Sequence, residues 1–398
     1  LLYNQLNKSI LHTEVQEFIQ GHQHLDPAEI AIKKSPFTEV SSRELAEQIS
    51  GKKTAEKKLP LWYQTPGIYY PPKLALEQSS SSETAAFKST LIHGESVLDL
   101  TGGLGIDAFY FSKKAGRVCH VELQAELSQI ASHNAQVLGA KNIAFIHADG
   151  IEYLRNKRTN WDTIYLDPSR RIAGQKVFKL SECEPNVPVL QDLLFQHSSC
   201  IILKTAPLLD IKSALTELKQ VKDVYVLSVQ NEVKELLWVL RPQKTLTEPL
   251  IHCVRLSNKV AQTFKFNLST EKQLELNEYS DVLSFLYEPD SAWLKAGCFK
   301  LITQEYQVNK LNQHTHFYTS EELKSDFPGR VFKVDEVRTY KDFTRSKVEE
   351  KANIISRNFP LSAPELQKKH RIKDGGEQYL VFCRNHHEEL IVIKARRC

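Results

Sequence analysis

Apolar positions along this chain follow three successive patterns. Over residues 1–78 they recur at helical spacing, as in LHTEVQEFIQ, and Asp26-Pro27 marks a helix start. SSRELAEQISG predicts a helix running from a serine cap to Gly51. The stretch LPLWYQTPGIYYPP interrupts this with prolines and presents Trp62, Tyr63, Tyr69 and Tyr70, which are expected to pack against the next domain or, alternatively, to stack a base. EQSSSSETAAFKST predicts a polar-capped helix leading into the first strand.

From residue 79 to 258 short apolar runs alternate with helical segments. Strands are predicted at 97–100, 117–121, 143–146, 163–166 and 200–204, with a hairpin of 224–229 and 236–240 closing the sheet. This alternation predicts an α/β domain with a parallel sheet, whose ligands should lie at the carboxyl ends of the strands. Four of those ends carry acids: Asp99, Glu122, Asp149 and Asp167. After about 258 the pattern turns to α+β. TFKFNL, LSFLYEP and HTHFY are predicted strands, Asp290 is predicted to cap a helix reaching about Tyr306, and Ser362-x-x-Glu365 is a capping box. QYLVFC and LIVIKA are predicted paired strands after an Asp374-Gly375-Gly376 turn.

Between the first two strands lies VLDLTGGLGID. Gly102, Gly103 and Gly105 permit a sharp turn and a close ligand approach, a helix is expected from Ile106, and Gly116 is placed to end it. Strand, glycine loop and helix together make a nucleotide-cofactor cradle. Gly103-x-Gly105-x-x-Ala108, with Glu122 beyond it, also satisfies the relaxed dinucleotide fingerprint. Asp99 weighs against that reading: a carboxylate there would repel a pyrophosphate but attract the ammonium and sulfonium of S-adenosylmethionine.

Composition adds bounds. Of 398 residues 41% are hydrophobic and 25% charged, as in ordinary globular proteins, and no apolar run reaches membrane-spanning length. Seven scattered cysteines without a CxxC pair suit a reduced, cytoplasmic setting. The net charge of +4 is uneven: from Asp326 onward 16 Lys/Arg face 11 Asp/Glu, net +5, which suggests a polyanion partner. The close histidine pairs His22/His24, His314/His316 and His386/His387 have no Cys or carboxylate at ligand spacing, so no metal is expected.

The constellation resembles the class I S-adenosylmethionine-dependent methyltransferases. Asp99-Leu100-x-x-Gly103-x-Gly105 matches that family's first motif, Glu122 its ribose-binding acid and Asp149 its adenine-side residue. Asp167-Pro168-Ser169-Arg170 stands where amino-group methyltransferases carry Asp/Asn-Pro-Pro-aromatic. The whole chain is similar to a bacterial subgroup with a helical N-terminus, a ferredoxin-like insert and a THUMP-like C-terminal domain, through LPLWYQTPGIYYPPKLALEQSSSSETA, DPSRR, YEPDSAWLKAG and RNFPLSAPELQKKHRIKDGGEQYL. The resemblance implies a Rossmann-like sheet with an antiparallel hairpin and a division into 1–78, 79–258, 259–325 and 326–398. It implies S-adenosylmethionine as donor, held by Asp99, Thr101, Gly102, Gly103, Gly105, Asp107, Glu122 and Asp149, with Asp167, Pro168 and Arg170 at the acceptor. RNA is the expected acceptor, since THUMP domains bind RNA.

The departure at Ser169 and Arg170 removes the usual stacking aromatic. Arg170 could stack through its guanidinium, or Tyr69-Tyr70 could substitute. Arg170 and Arg171 equally suit an acceptor phosphate or carboxylate. Two further readings therefore stay open: methylation of a protein or an anionic small molecule, and donor binding without catalysis.

Overall fold

The computed structural model describes residues 6–398 apart from 158, 170, 173–174, 177–178, 244, 246, 258–259, 277–278 and 347–349. The chain forms two compact units, 1–223 with 237–247, and 224–236 with 248–398.

The first unit opens with short helices. Asp26 caps Pro27–Ala31, its carboxylate accepting from Ala28 N, and Ser41 and Glu44 close a capping box on Ser42–Lys58. That helix does not stop at Gly51 as its sequence suggests. Gly51 lies in its middle, where a Cβ would stand 2.4 Å from Tyr70 Cβ, so the glycine serves close packing rather than termination. Trp62, Tyr69 and Tyr70 are buried in this core, and Asn134 pairs with the Tyr69 backbone through two 2.9 Å hydrogen bonds. The aromatic loop thus packs, and Tyr69 and Tyr70 are not exposed for stacking.

The parallel strands β1 (Ser96–Asp99), β2 (Arg117–Glu122), β3 (Ile143–His147) and β4 (Thr163–Leu166) follow. A two-strand ribbon, β5 (Arg171–Ile172) and β6 (Gln175–Lys176), leads by way of the helix Val187–His197 to β7 (Ile201–Thr205). The order is β7-β4-β1-β2-β3, with every pair parallel. The order therefore reverses between β1 and β4, which is where open α/β sheets bind ligands. Helix Ile106–Ser112 starts where expected but ends at Lys113, short of Gly116. The predicted hairpin is β8 (Val221–Val229) and β9 (Glu232–Leu240), turning through Gln230 and Asn231, both at positive φ.

In the second unit β10 (Leu250–Ser257) and β11 (Val260–Asn267) form a hairpin. A seven-stranded sheet follows, built from β12 (Phe285–Pro289), β13 (Asn309–Lys310), β14 (Tyr318–Ser320), β15 (Gly329–Thr339), β16 (Asn353–Ser356), β17 (Gln378–Arg384) and β18 (Leu390–Arg397). Its order is β13-β14-β12-β15-β18-β17-β16. Alternation along β17 sends Val381 to a core with Leu286, Phe317 and Phe332, and Leu380 and Phe382 to another with Phe343 and Leu366. Asp290 caps its helix, but Gly297 at φ 79° ends it after Ala296, and a separate helix spans Leu301–Tyr306. Of HTHFY only Tyr318 enters a strand, because His316 takes a φ of 50°. The Ser362–Glu365 capping box forms as predicted.

Candidate functional site

At the end of β1 the chain turns on glycines. Thr101 N donates to Asp99 Oδ1 at 3.1 Å, and Gly102 N to Val121 O at 2.9 Å. Gly103 and Gly105 adopt φ values of 53° and 70°. A Cβ on Gly103 would meet nothing nearer than Thr101 O at 4.0 Å, so the loop has open space where a ligand can lie against its backbone. Beneath the loop stands His120, fully buried. Its Nε2 is 3.2 Å from Gly103 O, and a Cβ on Gly102 would come within 2.3 Å of that atom. Burial pushes His120 down to about 4, so the ring is neutral at physiological pH.

Four carboxylates face this loop's surroundings. Asp99 is buried, 1% exposed. Burial first, then the neighbouring charges of Asp107, Asp167 and Glu122, push its carboxyl well above the ordinary range against the single hydrogen bond from Thr101. Glu122 accepts from Gly103 N through Oε2 and from Gln124 N through Oε1, both at 2.7 Å. Each oxygen keeps a lone pair for a further donor. Asp167 forms an ion pair with Lys204 through Oδ2, while Asp167 N donates to Thr101 Oγ1 at 2.6 Å, tying the end of β4 to the loop.

Asp107 belongs to a buried network that sequence reasoning missed. Lys88, 0% exposed, lies 3.0 Å from Asp107 Oδ1 and donates to Ser80 Oγ at 2.7 Å. Ser80 and the Tyr165 hydroxyl donate to Asp107 Oδ2 at 2.8 and 3.0 Å. Burial raises this carboxyl, but the charges of Lys88 and Lys204 and the hydrogen bonds from Ser80 and Lys88 more than reverse the effect and hold it below the ordinary range. The one sequence signal for Lys88 is its place three residues after Ala85 on the buried face of the helix Ser82–Ser89.

The remaining predicted residues are placed differently. Asp149 is exposed and caps the helix Gly150–Asn156, accepting from Ile151 N and Glu152 N at 2.9 Å. It stays beside the glycine loop, since a Cβ on Gly150 would lie 2.2 Å from Leu100 O. Gly105 is the N-cap residue of the helix Ile106–Ser112, with Ala131 Cβ 3.0 Å from where its own Cβ would be. Pro168 is buried and lines a small cavity with Leu180, Cys183, Thr205 and Leu209. Arg170 lies outside the described residues, as does the side chain of Arg171.

This arrangement gathers four carboxylates at the sheet's reversal point, two of them, Asp107 and Asp167, paired with Lys88 and Lys204. It suits a ligand that is cationic at one end, carries hydroxyls for Glu122 and is flat enough to lie on a glycine backbone. A diphosphate would be repelled there.

Comparison with known proteins agrees with that chemistry. Residues 285–328 match the model of a ferredoxin-like domain, 329–397 that of a THUMP domain-like family, and 77–172 that of protein-L-isoaspartate(D-aspartate) O-methyltransferase. A crystal structure of a Porphyromonas gingivalis W83 protein, described provisionally as a methyltransferase, is 31% identical over 98% of both chains, with a TM-score of 0.88. An uncharacterized RNA methyltransferase of Mycoplasma mobile is 36% identical over 22% of this chain and 24% of its own length. Another from Thermotoga maritima is 33% identical over 27% of this chain and 26% of its own. The chain thus spans about a quarter of the length of these two curated relatives. Among the described residues no helix is long and apolar enough to cross a membrane.

Proposed function

The chain belongs to the S-adenosylmethionine-dependent methyltransferases that carry ferredoxin-like and THUMP-like modules, and from that premise we propose that it methylates RNA in the cytoplasm. The observation that carries the donor half of this reading is the buried Asp99, crowded by Asp107, Asp167 and Glu122 and therefore short of a cation. The open space against Gly103 supports the same fit. When bound, S-adenosylmethionine supplies an electrophilic methyl group on a sulfonium that departs as a neutral thioether.

The chain's own residues bind and orient. Asp99 attracts the donor's positive end, Thr101, Gly102, Gly103 and Gly105 give it a backbone surface, and Asp107, locked by Lys88, keeps the loop's helix in place. Glu122 takes the ribose hydroxyls on its free lone pairs, and Asp149 bounds the adenine side. Asp167 and the Pro168 carbonyl accept N–H protons of an acceptor amine and aim its lone pair; Asp167 does so through Oδ1, since Oδ2 is held by Lys204. Catalysis here is mostly orientation and exclusion of water. Arg170 remains our choice for holding the acceptor.

The acceptor half rests on charge. Lys368, Lys369, Arg371 and Lys373 are exposed together at and beyond the end of the helix Ala363–His370, within the module of net +5. All seven cysteines are unpaired thiols, which supports a reducing compartment. The division of labour we propose gives donor binding to residues 79–258 and RNA binding to 326–398. Two measurements test it. Calorimetry should show S-adenosylhomocysteine binding and no NAD binding. The triple variant Lys368→Gln, Lys369→Gln, Lys373→Gln should flatten the slope of log affinity for RNA against log salt by about 0.7–0.9 for each phosphate it no longer neutralises. Modified nucleosides unchanged between deletion and parent cells would overturn the RNA assignment.

A further inference from the structure

Among the described residues of the second unit, two histidines and an aspartate that the proposed reaction does not use come together. The turn between β17 and β18 carries His386 and His387, whose rings lie 3.9 Å apart centroid to centroid. His386 Nε2 is 2.9 Å from Asp281 Oδ1. One ligand atom from each of the three residues lies within 4.8 Å of the other two. We propose that Asp281, His386 and His387 hold a divalent transition-metal ion of the zinc class.

The donor set fits. Two imidazoles and one carboxylate match the three-ligand pattern that zinc takes when water fills its fourth position. Ligand atoms around a tetrahedral ion at about 2.0–2.2 Å stand roughly 3.3 Å apart. Closing 4.8 Å to that separation needs only side-chain rotation, because Asp281 and His387 are exposed. The His386–Asp281 hydrogen bond by itself accounts for less, because it gives the adjacent His387 ring nothing to do.

The backbone on both sides is already fixed. Asn385 Oδ1 accepts from His387 N at 3.0 Å and Glu389 N at 2.9 Å, shaping the turn. Asn312 Nδ2 donates to Asn385 O at 2.8 Å, and Ser280 N donates to Lys310 O at 3.0 Å. Both ligand-bearing segments are thus fastened to the same short stretch, 310–312. Spacing in the sequence conceals the site, because Asp281 and His386 are 105 residues apart.

The test uses the untagged full chain, stripped with EDTA, titrated with zinc by calorimetry and with cobalt(II) by absorption. One equivalent should bind. His387→Ala leaves the His386–Asp281 pair intact yet should weaken zinc by about 10–100-fold or more, as loss of even an outer partner does. Asp281→Ala and His386→Gln should do the same, with melting in EDTA unchanged for His387→Ala. Cobalt should give visible bands without a thiolate charge-transfer band, and Cys398→Ser should change nothing. No stoichiometric binding, binding indifferent to these substitutions, or a thiolate band would overturn the assignment.

Discussion

Replacing Lys88 by methionine removes the buried cation that faces Asp107 while keeping most of the side chain's length. Lys88 is 0% exposed and Asp107 12%, at a separation of 3.0 Å. Breaking a buried pair on one side strands the other charge, at a cost of about 3–5 kcal/mol. For a unit of this size that lowers the melting temperature by roughly 6–20 °C. The cost should depend on pH. In the native chain the Asp107 carboxyl sits below its ordinary range, so its contribution is complete above the unfolded value of about 3.9 and is lost only as pH falls through the depressed native value. In Lys88→Met, burial is no longer opposed by Lys88, and the folded chain holds the proton more tightly than the unfolded one. Stability of the variant therefore falls as pH rises past about 3.9, and the gap to wild type is wider at pH 8 than at pH 5. Thermal and urea unfolding at both pH values measure this, with Lys88→Met/Asp107→Asn as the control that removes both charges and should recover most of the loss. A single variant costing under about 1 kcal/mol, the worth of an exposed pair, would refute the reasoning, as would a double variant as unstable as the single.

Asp99→Asn should stabilise the ligand-free protein, since it removes a carboxyl whose ionisation burial and three neighbouring acids disfavour, yet weaken S-adenosylmethionine by about 30-fold or more in calorimetry. Because the Asp99 carboxyl is raised, donor affinity of the wild type should climb with pH as Asp99 ionises, and Asp99→Asn should flatten that profile; a profile unchanged by the substitution would place the cation elsewhere. Gly150→Ala puts a Cβ 2.2 Å from a backbone oxygen that cannot swing away, so the melting curve should shift down by the equivalent of about 1–3 kcal/mol or more, and an unshifted curve would mean the loop is looser than its geometry implies.

What could be read from the chain was what is encoded locally. VLDL, RVCHVE and TIYL are buried at almost every position because parallel strands are covered on both faces, and their carboxyl ends place Asp99, Glu122 and Asp167 without further information. Glycines were harder, because one residue type serves several purposes: Gly51 ends nothing and makes room for Tyr70, while Gly297 does end a helix. Lys88 and His120 went unseen, since nothing in a single sequence says that a lysine finds its acid nineteen residues on or that a histidine supports a loop. The pairing of β12 with β15 escaped for the same reason, as register between distant strands leaves no local mark.

That pairing has a practical consequence. The two family matches meet between residues 328 and 329, yet Leu286 pairs with Phe332, and Gly329 passes so close to Glu288 O that a Cβ there would lie 2.0 Å away. Cutting at that seam would bare a hydrogen-bonding edge on each fragment, an invitation to stick to neighbours. Anyone swapping parts between such enzymes should therefore move residues 285–397 as one cassette.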